Sequence, residues 1–288
     1  MRAEQVTGPV TYHGEGPVWA DWTGTGPALR LVDMLAGDVL RLLPDGGVDR
    51  RHVGSPVAAV VRPRQGGGAV IGVERGFLLE EPDGALAPLS PLWSEPGVRM
   101  NEGGCDPQGR FYCGSMAYDK AEGAGTLYRL EPDLSVHVVL EGVTISNGLE
   151  WSPDGSLAYY NDTPTHRVSV FDHDPVAGLQ ARRTLVEVVH DGEPGNPDGL
   201  TVDAEGGVWT ALYGAGVVHR YTPDGELDAV VEVGAAQVTA CTFGGADLDE
   251  LFVTTSREDL AEGEDPQAGS VFRVVPGVRG RPVRAFAG

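Results

Sequence analysis

Four short sequence motifs place an acid or an amide near glycine. Residues of these types can assemble an oxygen-rich cation site. They are "GEGP" at Glu15, "NEGG" at Asn101, "SNGL" at Asn147 and "PDGL" at Asp198. Each alone is an ordinary turn sequence, because Asp, Asn and Gly all favour turns. Two carboxylates at one place would repel each other, and a divalent cation removes that repulsion. The set contains no His or Cys, which favours calcium, magnesium or manganese over zinc, although open oxygen sites also accept softer metals.

A sequence repeat can bring these four motifs together at one site in the fold. A turn-then-strand pattern is clearest at "NEGGCDPQGRFYCGSM", "NGLEWSPDGSLAYYND" and "DGLTVDAEGGVWTALY". Weaker copies occur at "GPVWADWTGTGPALRLVDM", "VAAVVRPRQGGGAVIGVERG" and "TACTFGGADLDELFVTTS". The six copies step by roughly 40–50 residues, the period of a four-stranded propeller blade. We therefore predict an all-β, six-bladed β-propeller with four-stranded blades, built as a single domain over residues 1–288.

The copies were aligned on the turn after the first strand of each blade, where Asp203 matches Asp106. Counting back from that turn by the same number of residues gives one equivalent position in each blade. Its occupants are Glu15, Val57, Asn101, Asn147, Asp198 and Thr239. Because the first strand of a blade lines the central channel, we expect these residues at one channel mouth, with the metal between them. We also expect residues 5–12 to close the ring by pairing near "PVRAFAG".

Composition excludes several classes of partner. The 288 residues include 42 Gly and 21 Pro, which favours short strands and turns over long helices. A net charge of −21 repels nucleic acid and anionic membrane surfaces, so we expect neither as a partner. Three cysteines without a CxxC motif are expected to be reduced and buried. With no apolar leader and no membrane-length apolar run, a cytoplasmic protein is expected, as a monomer or weak homodimer.

Five stretches, kept in order along the chain, resemble the SMP-30/gluconolactonase family of regucalcin-like lactonases. They are "GEGPVW", "RMNEGGCDPQGRFYCGSM", "ISNGLEWSPDG", "GNPDGLTVDAEGGVW" and "TACTFGG". The resemblance implies a six-bladed propeller with one divalent metal (Ca, Mg, Mn or Zn) at the channel mouth. It places the metal ligands at Glu15, Asn147 and Asp198. It places substrate-binding residues at Arg99 and Asn101, and only the resemblance singles out Arg99.

Two positions depart from the family pattern. Some members have a substrate-contacting glutamate after the segment that here reads "GSMAYDKAEG", and Asp119 is the nearest acid. Its shorter side chain leaves the identity of the substrate open. The second departure is Glu102, where the family often has an aspartate, and no role is assigned to it.

The implied reaction is hydrolysis of a sugar lactone to its aldonic acid. A metal with open positions can polarise the lactone carbonyl and stabilise the oxyanion. Asp198 is the candidate catalytic base, since it has a second oxygen free to accept a proton. Direct attack by metal-bound hydroxide is the alternative. Asp198→Ala is predicted to abolish hydrolysis without unfolding the protein.

Other functions are compatible with the same scaffold. The site could hydrolyse other lactones, esters or organophosphates. A propeller can also be a non-catalytic binding module with a structural cation, because fold alone does not decide function. A calcium-buffering protein is disfavoured by the lack of an EF-hand loop. Arg99 and Asn101 beside the metal ligands favour the enzyme, since a purely structural cation needs neither.

Overall fold

Six four-stranded antiparallel sheets are arranged as blades of a β-propeller in the computed structural model, which describes residues 1–22 and 26–288. Residues 23–25, within the first repeat copy, lie outside the described residues. Blades I to VI are made of the following strands: β2 Gly14–Asp21, β3 Pro27–Asp33, β4 Asp38–Leu42 and β5 Val48–His52; β6 Ala58–Pro63, β7 Ala69–Val73, β8 Gly76–Glu80 and β9 Leu86–Pro88; β10 Val98–Cys105, β11 Phe111–Ala117, β12 Gly125–Leu130 and β13 Val136–Val143; β14 Ser146–Trp151, β15 Leu157–Asp162, β16 Arg167–Asp174 and β17 Gly178–Glu187; β20 Pro197–Val202, β21 Val208–Leu212, β22 Val217–Tyr221 and β23 Leu227–Glu232; β24 Val238–Gly244, β25 Glu250–Thr255, β26 Val271–Val274 and β1 Glu4–Gln5.

The remaining regular elements are short. They are the hairpin of β18 Val189–His190 and β19 Glu193–Pro194, and two 3₁₀ turns at Met34–Ala36 and Thr163–Thr165. The prediction of an all-β, six-bladed propeller with four-stranded blades is confirmed.

The burial of a strand depends on its position in the blade, from the inner strand at the channel to the outer strand at the surface. Inner strands are enclosed on both faces by neighbouring blades, so they are almost wholly buried, as in β6 and β24. Outer strands such as β5 are largely exposed. The three cysteines are free and buried, as expected. Among the described residues no helix has the length and apolar character needed to cross a membrane.

The ring is closed by the N-terminal strand. Glu4 pairs with Arg273 and Gln5 with Phe272, so β1 completes blade VI. The expectation that residues 5–12 pair near "PVRAFAG" is wrong about the partner, which is β26. Phe286 instead exchanges backbone hydrogen bonds with blade II, donating to Pro63 O at 2.8 Å.

A break in strand pairing occurs at the same level of all six inner strands. In blade V, Pro197 pairs with Leu212 and Leu200 with Thr210, so two residues face a single one across the ladder. Such a bulge re-aims side chains, and bulges are frequent next to active sites. The breaks in blades III and IV likewise contain the two asparagines of the four motifs, Asn101 and Asn147.

Blade I departs from this register by one residue. There the break lies between Glu15 and Val18, so Glu15 is the last paired residue before the bulge and not the first residue within it. The alignment by turn spacing is therefore correct for blades III to V and one residue out in blade I.

Glycine after the site residue lets neighbouring inner strands approach closely. A Cβ atom on Gly148 would lie 2.4 Å from Leu200 N, and one on Gly199 would lie 2.4 Å from the Cβ of Ala240. Real Cβ atoms do not come so near, so these two positions require glycine.

Candidate functional site

The three predicted metal ligands are buried near the start of three inner strands. They are Glu15, Asn147 and Asp198. Their exposed fractions are 2%, 4% and 5%. The backbone beside Asp198 is held by blade IV, because Asn161 Nδ2 donates to Asp198 O at 2.6 Å and Thr163 Oγ1 donates to Pro197 O at 2.8 Å. The site is thus built on strands whose relative positions are fixed by hydrogen bonds.

Two oxygen atoms in this set are buried without a hydrogen-bond partner. They are Asn147 Oδ1 and Asp198 Oδ1. The nitrogen end of the Asn147 amide donates to Thr163 Oγ1 at 2.9 Å, which leaves the oxygen end for another partner. Buried polar atoms are normally paired, so two orphaned oxygens together indicate a missing electropositive ligand.

The electrostatics of the carboxylates fit the same interpretation. Burial raises the pKa of Glu15 well above its ordinary value, and the nearby charges of Asp198 and Glu102 raise it further. Burial also raises the pKa of Asp198, again with a contribution from Glu102. The charge of Arg99 opposes the shift at Glu15 only in part, so the ionised carboxylates need further positive charge, which a divalent cation would supply. The donors are hard oxygens, so these residues fit such a cation.

The candidate ligand set includes an amide. Within residues 1–22 and 26–288 no cluster of three or more His, Cys, Asp or Glu side chains is arranged to hold a metal. Glu15 and Asp198 supply two carboxylates, and Asn147 supplies the third oxygen.

Arg99 and Asn101 lie together on β10 as a hydrogen-bonded pair. The buried guanidinium of Arg99 donates from Nη1 to Asn101 Oδ1 at 2.6 Å and to Met100 O at 3.0 Å. Asn101 Nδ2 donates to Ser146 O at 2.9 Å, directly before Asn147. The structure therefore brings both predicted substrate residues to the ligand set. Burial lowers the pKa of Arg99.

Asp119 lies apart from this cluster, in an exposed turn after β11. Its Oδ1 accepts a hydrogen bond from Ala121 N at 3.1 Å, as in an ordinary turn. The neighbouring Tyr118 ring is 5.9 Å from the Arg99 guanidinium carbon. A substrate contact by Asp119 stays a prediction.

Two groups beside the site, His13 and Glu258, lie outside the predicted set of site residues. His13 is buried, and its Nδ1 lies 2.7 Å from Ser256 Oγ and 3.6 Å from Glu258 Oε2. Burial, with the charges of Arg99 and Lys120, lowers the pKa of His13 to about 3. The closeness of His13 to Glu15 in sequence was the available signal, whereas nothing in the sequence marked Glu258.

Glu102 is also buried, inside the channel. Burial raises its pKa to about 7, and its Oε2 has no hydrogen-bond partner. The nearest cation is Arg62, 4.0 Å away. Together with Glu15 and Asp198 it makes the channel interior strongly acidic.

The opposite mouth of the channel is covered by the C-terminal segment. Arg281 and Arg284 donate to the end of β14, with Arg281 Nη2 2.9 Å from Trp151 O. Other backbone bonds join this segment to the turns of the remaining blades that it crosses: Ala204 N to Arg279 O, Gly280 N to Leu248 O, Phe286 N to Pro63 O and Ala287 N to Gly109 O. The acidic mouth lies at the other end of the channel.

Comparison with known proteins settles the family. The model of the SMP-30/gluconolactonase/LRE-like region matches residues 13–257. The chain belongs to this family. Regucalcin from Xenopus laevis is 35% identical over 302 aligned positions, covering 100% of this chain and 99% of the relative. The resemblance inferred from the five stretches is confirmed.

Two solved structures of similar proteins have the same architecture. A calcium-binding protein, regucalcin, from Agrobacterium tumefaciens superposes with a TM-score of 0.89 at 28% identity, covering 100% of this chain and 97% of that one. A luciferin-regenerating enzyme gives the same TM-score and identity, covering 99% of each chain. The chain thus shares the propeller architecture of these two relatives.

Proposed function

We propose that this family member is a divalent-metal-dependent lactonase that hydrolyses a sugar lactone to the aldonic acid. The observation that carries the proposal is the pair of orphaned oxygens on Asn147 and Asp198 beside the buried carboxyl of Glu15. Those three residues would hold the cation. When bound, it would supply Lewis-acid polarisation of the lactone carbonyl.

The protein side chains supply the proton transfer. Water adds to the carbonyl carbon, and we assign its proton to the carboxylate of Asp198, on the oxygen that would not hold the cation. The ring carbon–oxygen bond then breaks, and the same proton passes to the leaving ring oxygen. No other reactant is needed, and Asp198 returns to its starting state.

Arg99 and Asn101 are assigned to orient the substrate. Their donors are held by each other and by Ser146 O before substrate arrives, so little side-chain freedom is lost on binding. Such preorganisation of the reacting geometry can contribute several kcal/mol to a reaction barrier, about 7 or more in favourable cases.

The decisive experiment is hydrolysis of a panel of aldonolactones by chelator-stripped protein supplied with single divalent metals. Metal-dependent acid release from one lactone, lost in Asp198→Asn, would support the proposal and identify both cation and substrate. Absence of turnover in folded, metal-loaded protein would overturn it.

Similarity to a protein named as calcium-binding favours one second candidate, a non-catalytic calcium-binding propeller. That function needs tight calcium binding and no lactone turnover with any metal. The same panel, combined with calcium titration by calorimetry, separates the two functions. Calcium, magnesium, manganese and zinc all remain candidates for the cation, and a cytoplasmic monomer or weak homodimer remains our proposal for the protein's state.

A further inference from the structure

A carboxylate from blade VI lies beside the segment that leads into Glu15. Glu258 lies in residues 256–270, the connection between β25 and β26. Its side chain is 20% exposed, and Oε2 lies 3.6 Å from Nδ1 of His13, which precedes β2. This separation exceeds hydrogen-bond length, so the carboxylate keeps capacity to accept hydrogen bonds.

The backbone around Glu258 is fixed from three sides. Glu258 N donates to Ser256 Oγ at 2.9 Å, and Gln237 Nε2 donates to Glu258 O at 3.1 Å. Arg257 N donates to Tyr12 O at 2.9 Å, which ties the loop to the segment before blade I. The loop backbone that carries this side chain is therefore held in place, which favours specific binding.

Arg99 and Glu258 act on each other electrostatically without forming an ion pair. Glu258 is the largest of the charges that oppose the lowering of the Arg99 pKa by burial. Within the described part of the chain, the Arg99 guanidinium makes no salt bridge, and its hydrogen bonds go to Asn101, Met100 and Met34. A donor, Arg99, and an acceptor, Glu258, therefore lie within electrostatic range of each other, and Glu258 lies beside the segment that carries Glu15.

A polyhydroxylated ring matches this arrangement, because each hydroxyl both donates and accepts a hydrogen bond. An unsubstituted lactone ring offers no hydroxyl to the carboxylate. We propose that Glu258 accepts a hydrogen bond from a ring hydroxyl of the substrate and thereby selects hydroxylated lactones over unsubstituted ones. This inference rests on the proposed lactonase function. It assigns the acidic residue that contacts the substrate to blade VI.

The test compares wild type, Glu258→Gln and the matched control Glu262→Gln, an exposed glutamate of the same loop. For each, kcat/KM is measured on D-gluconolactone and on δ-valerolactone. Loss of a charged hydrogen bond should lower kcat/KM for gluconolactone by about 10- to 100-fold in Glu258→Gln. The control should match wild type, and valerolactone turnover should change much less. If the wild-type protein does not hydrolyse valerolactone, the two substrates cannot be compared. The expected result is then that Glu258→Gln raises KM for gluconolactone while kcat stays nearly constant.

Equal losses on both substrates, or no loss on either, would overturn the inference while leaving the lactonase function intact. Gluconate binding by calorimetry separates the two claims, because it needs no turnover. Wild type that hydrolyses no lactone but binds gluconate more tightly than Glu258→Gln would overturn the lactonase function and support the Glu258 contact. Equal gluconate affinity in an inactive protein would overturn both.

Discussion

Asp198 and Asp203 stand at opposite ends of one inner strand, β20, and differ in how their carboxylates are satisfied. Both are buried, with exposed fractions of 5% and 0%. Asp203 accepts hydrogen bonds from Gly207 N at 2.8 Å, Trp209 Nε1 at 2.9 Å and Arg220 Nε at 2.8 Å, besides Glu205 N. Asp198 Oδ1 accepts none.

The contrast separates a carboxylate that stabilises the fold from one that is kept for a ligand. At the covered mouth, Asp106 follows the pattern of Asp203. Burial alone would raise the pKa of Asp106, but the contact with His173 and the hydrogen bonds from Arg110 outweigh burial and lower it. At the acidic mouth, burial and neighbouring acids raise the pKa of Asp198, and the hydrogen bonds that oppose them do not reverse the shift.

The sharpest way to break the comparison is Asp198→Asn. Loss of the base and of a metal ligand should lower kcat/KM for the lactone by about 10⁴-fold, the upper range for general-base catalysis. The free energy of unfolding of the metal-free protein should stay equal or rise, because a buried, unpaired charge is removed. Steady-state kinetics and urea unfolding measure the two effects. Activity within tenfold of wild type would contradict the assignment.

Asp203→Asn should show the reverse behaviour. Breaking its buried ion pair with Arg220 should lower the free energy of unfolding by about 3–5 kcal/mol. Because the site lies at the other end of the strand, the folded fraction should retain its kcat/KM. Urea unfolding gives the loss. An unchanged midpoint would show that the hydrogen bonds of Asp203 are not stabilising.

Gly199→Ala tests the close packing that positions Asp198. The added Cβ would meet Ala240, so the free energy of unfolding should fall by about 1–3 kcal/mol, as in other overpacked cores. Gly66→Ala is the control, because a Cβ there has no atom within 4 Å. Equal thermal shifts in the two variants would refute the requirement for glycine.

The remaining prediction concerns the pH dependence of stability in metal-free protein. Glu15 and Asp198 have raised pKa values, so above pH ~4 the folded state holds protons that the unfolded chain has released. The free energy of unfolding should therefore fall as pH rises, by at most about 1.4 kcal/mol per pH unit for each carboxyl. Glu102, with its pKa raised to about 7, acts in the same direction.

Metal should reduce this decline, since the cation favours the ionised forms. Thermal unfolding from pH 5 to 8, with chelator and with saturating metal, measures the difference. Parallel curves with and without metal would contradict the placement of the cation among these carboxyls.

The repeated turns predicted the six blades because each hairpin is encoded locally. Ring closure was mispredicted because Gln5 and Phe272 are far apart in the chain and no local signal pairs them. The one-residue offset of Glu15 arises from where its strand bulges, which turn spacing does not encode. The orphaned oxygen of Asn147 depends on Thr163 binding the other end of the amide. Such an orientation is visible only in three dimensions.

The pairing of β1 with β26 also constrains how the protein is made. The strand that completes blade VI leaves the ribosome long before its partner, Val271–Val274. Blade VI therefore cannot be completed until that partner has emerged, and the early strand stays an unpaired edge until then, a known hazard for aggregation. Such long-range pairing also slows folding, so closure of the ring is the expected late step. A circular permutant that joins β26 directly to β1 would make this contact local and should refold faster.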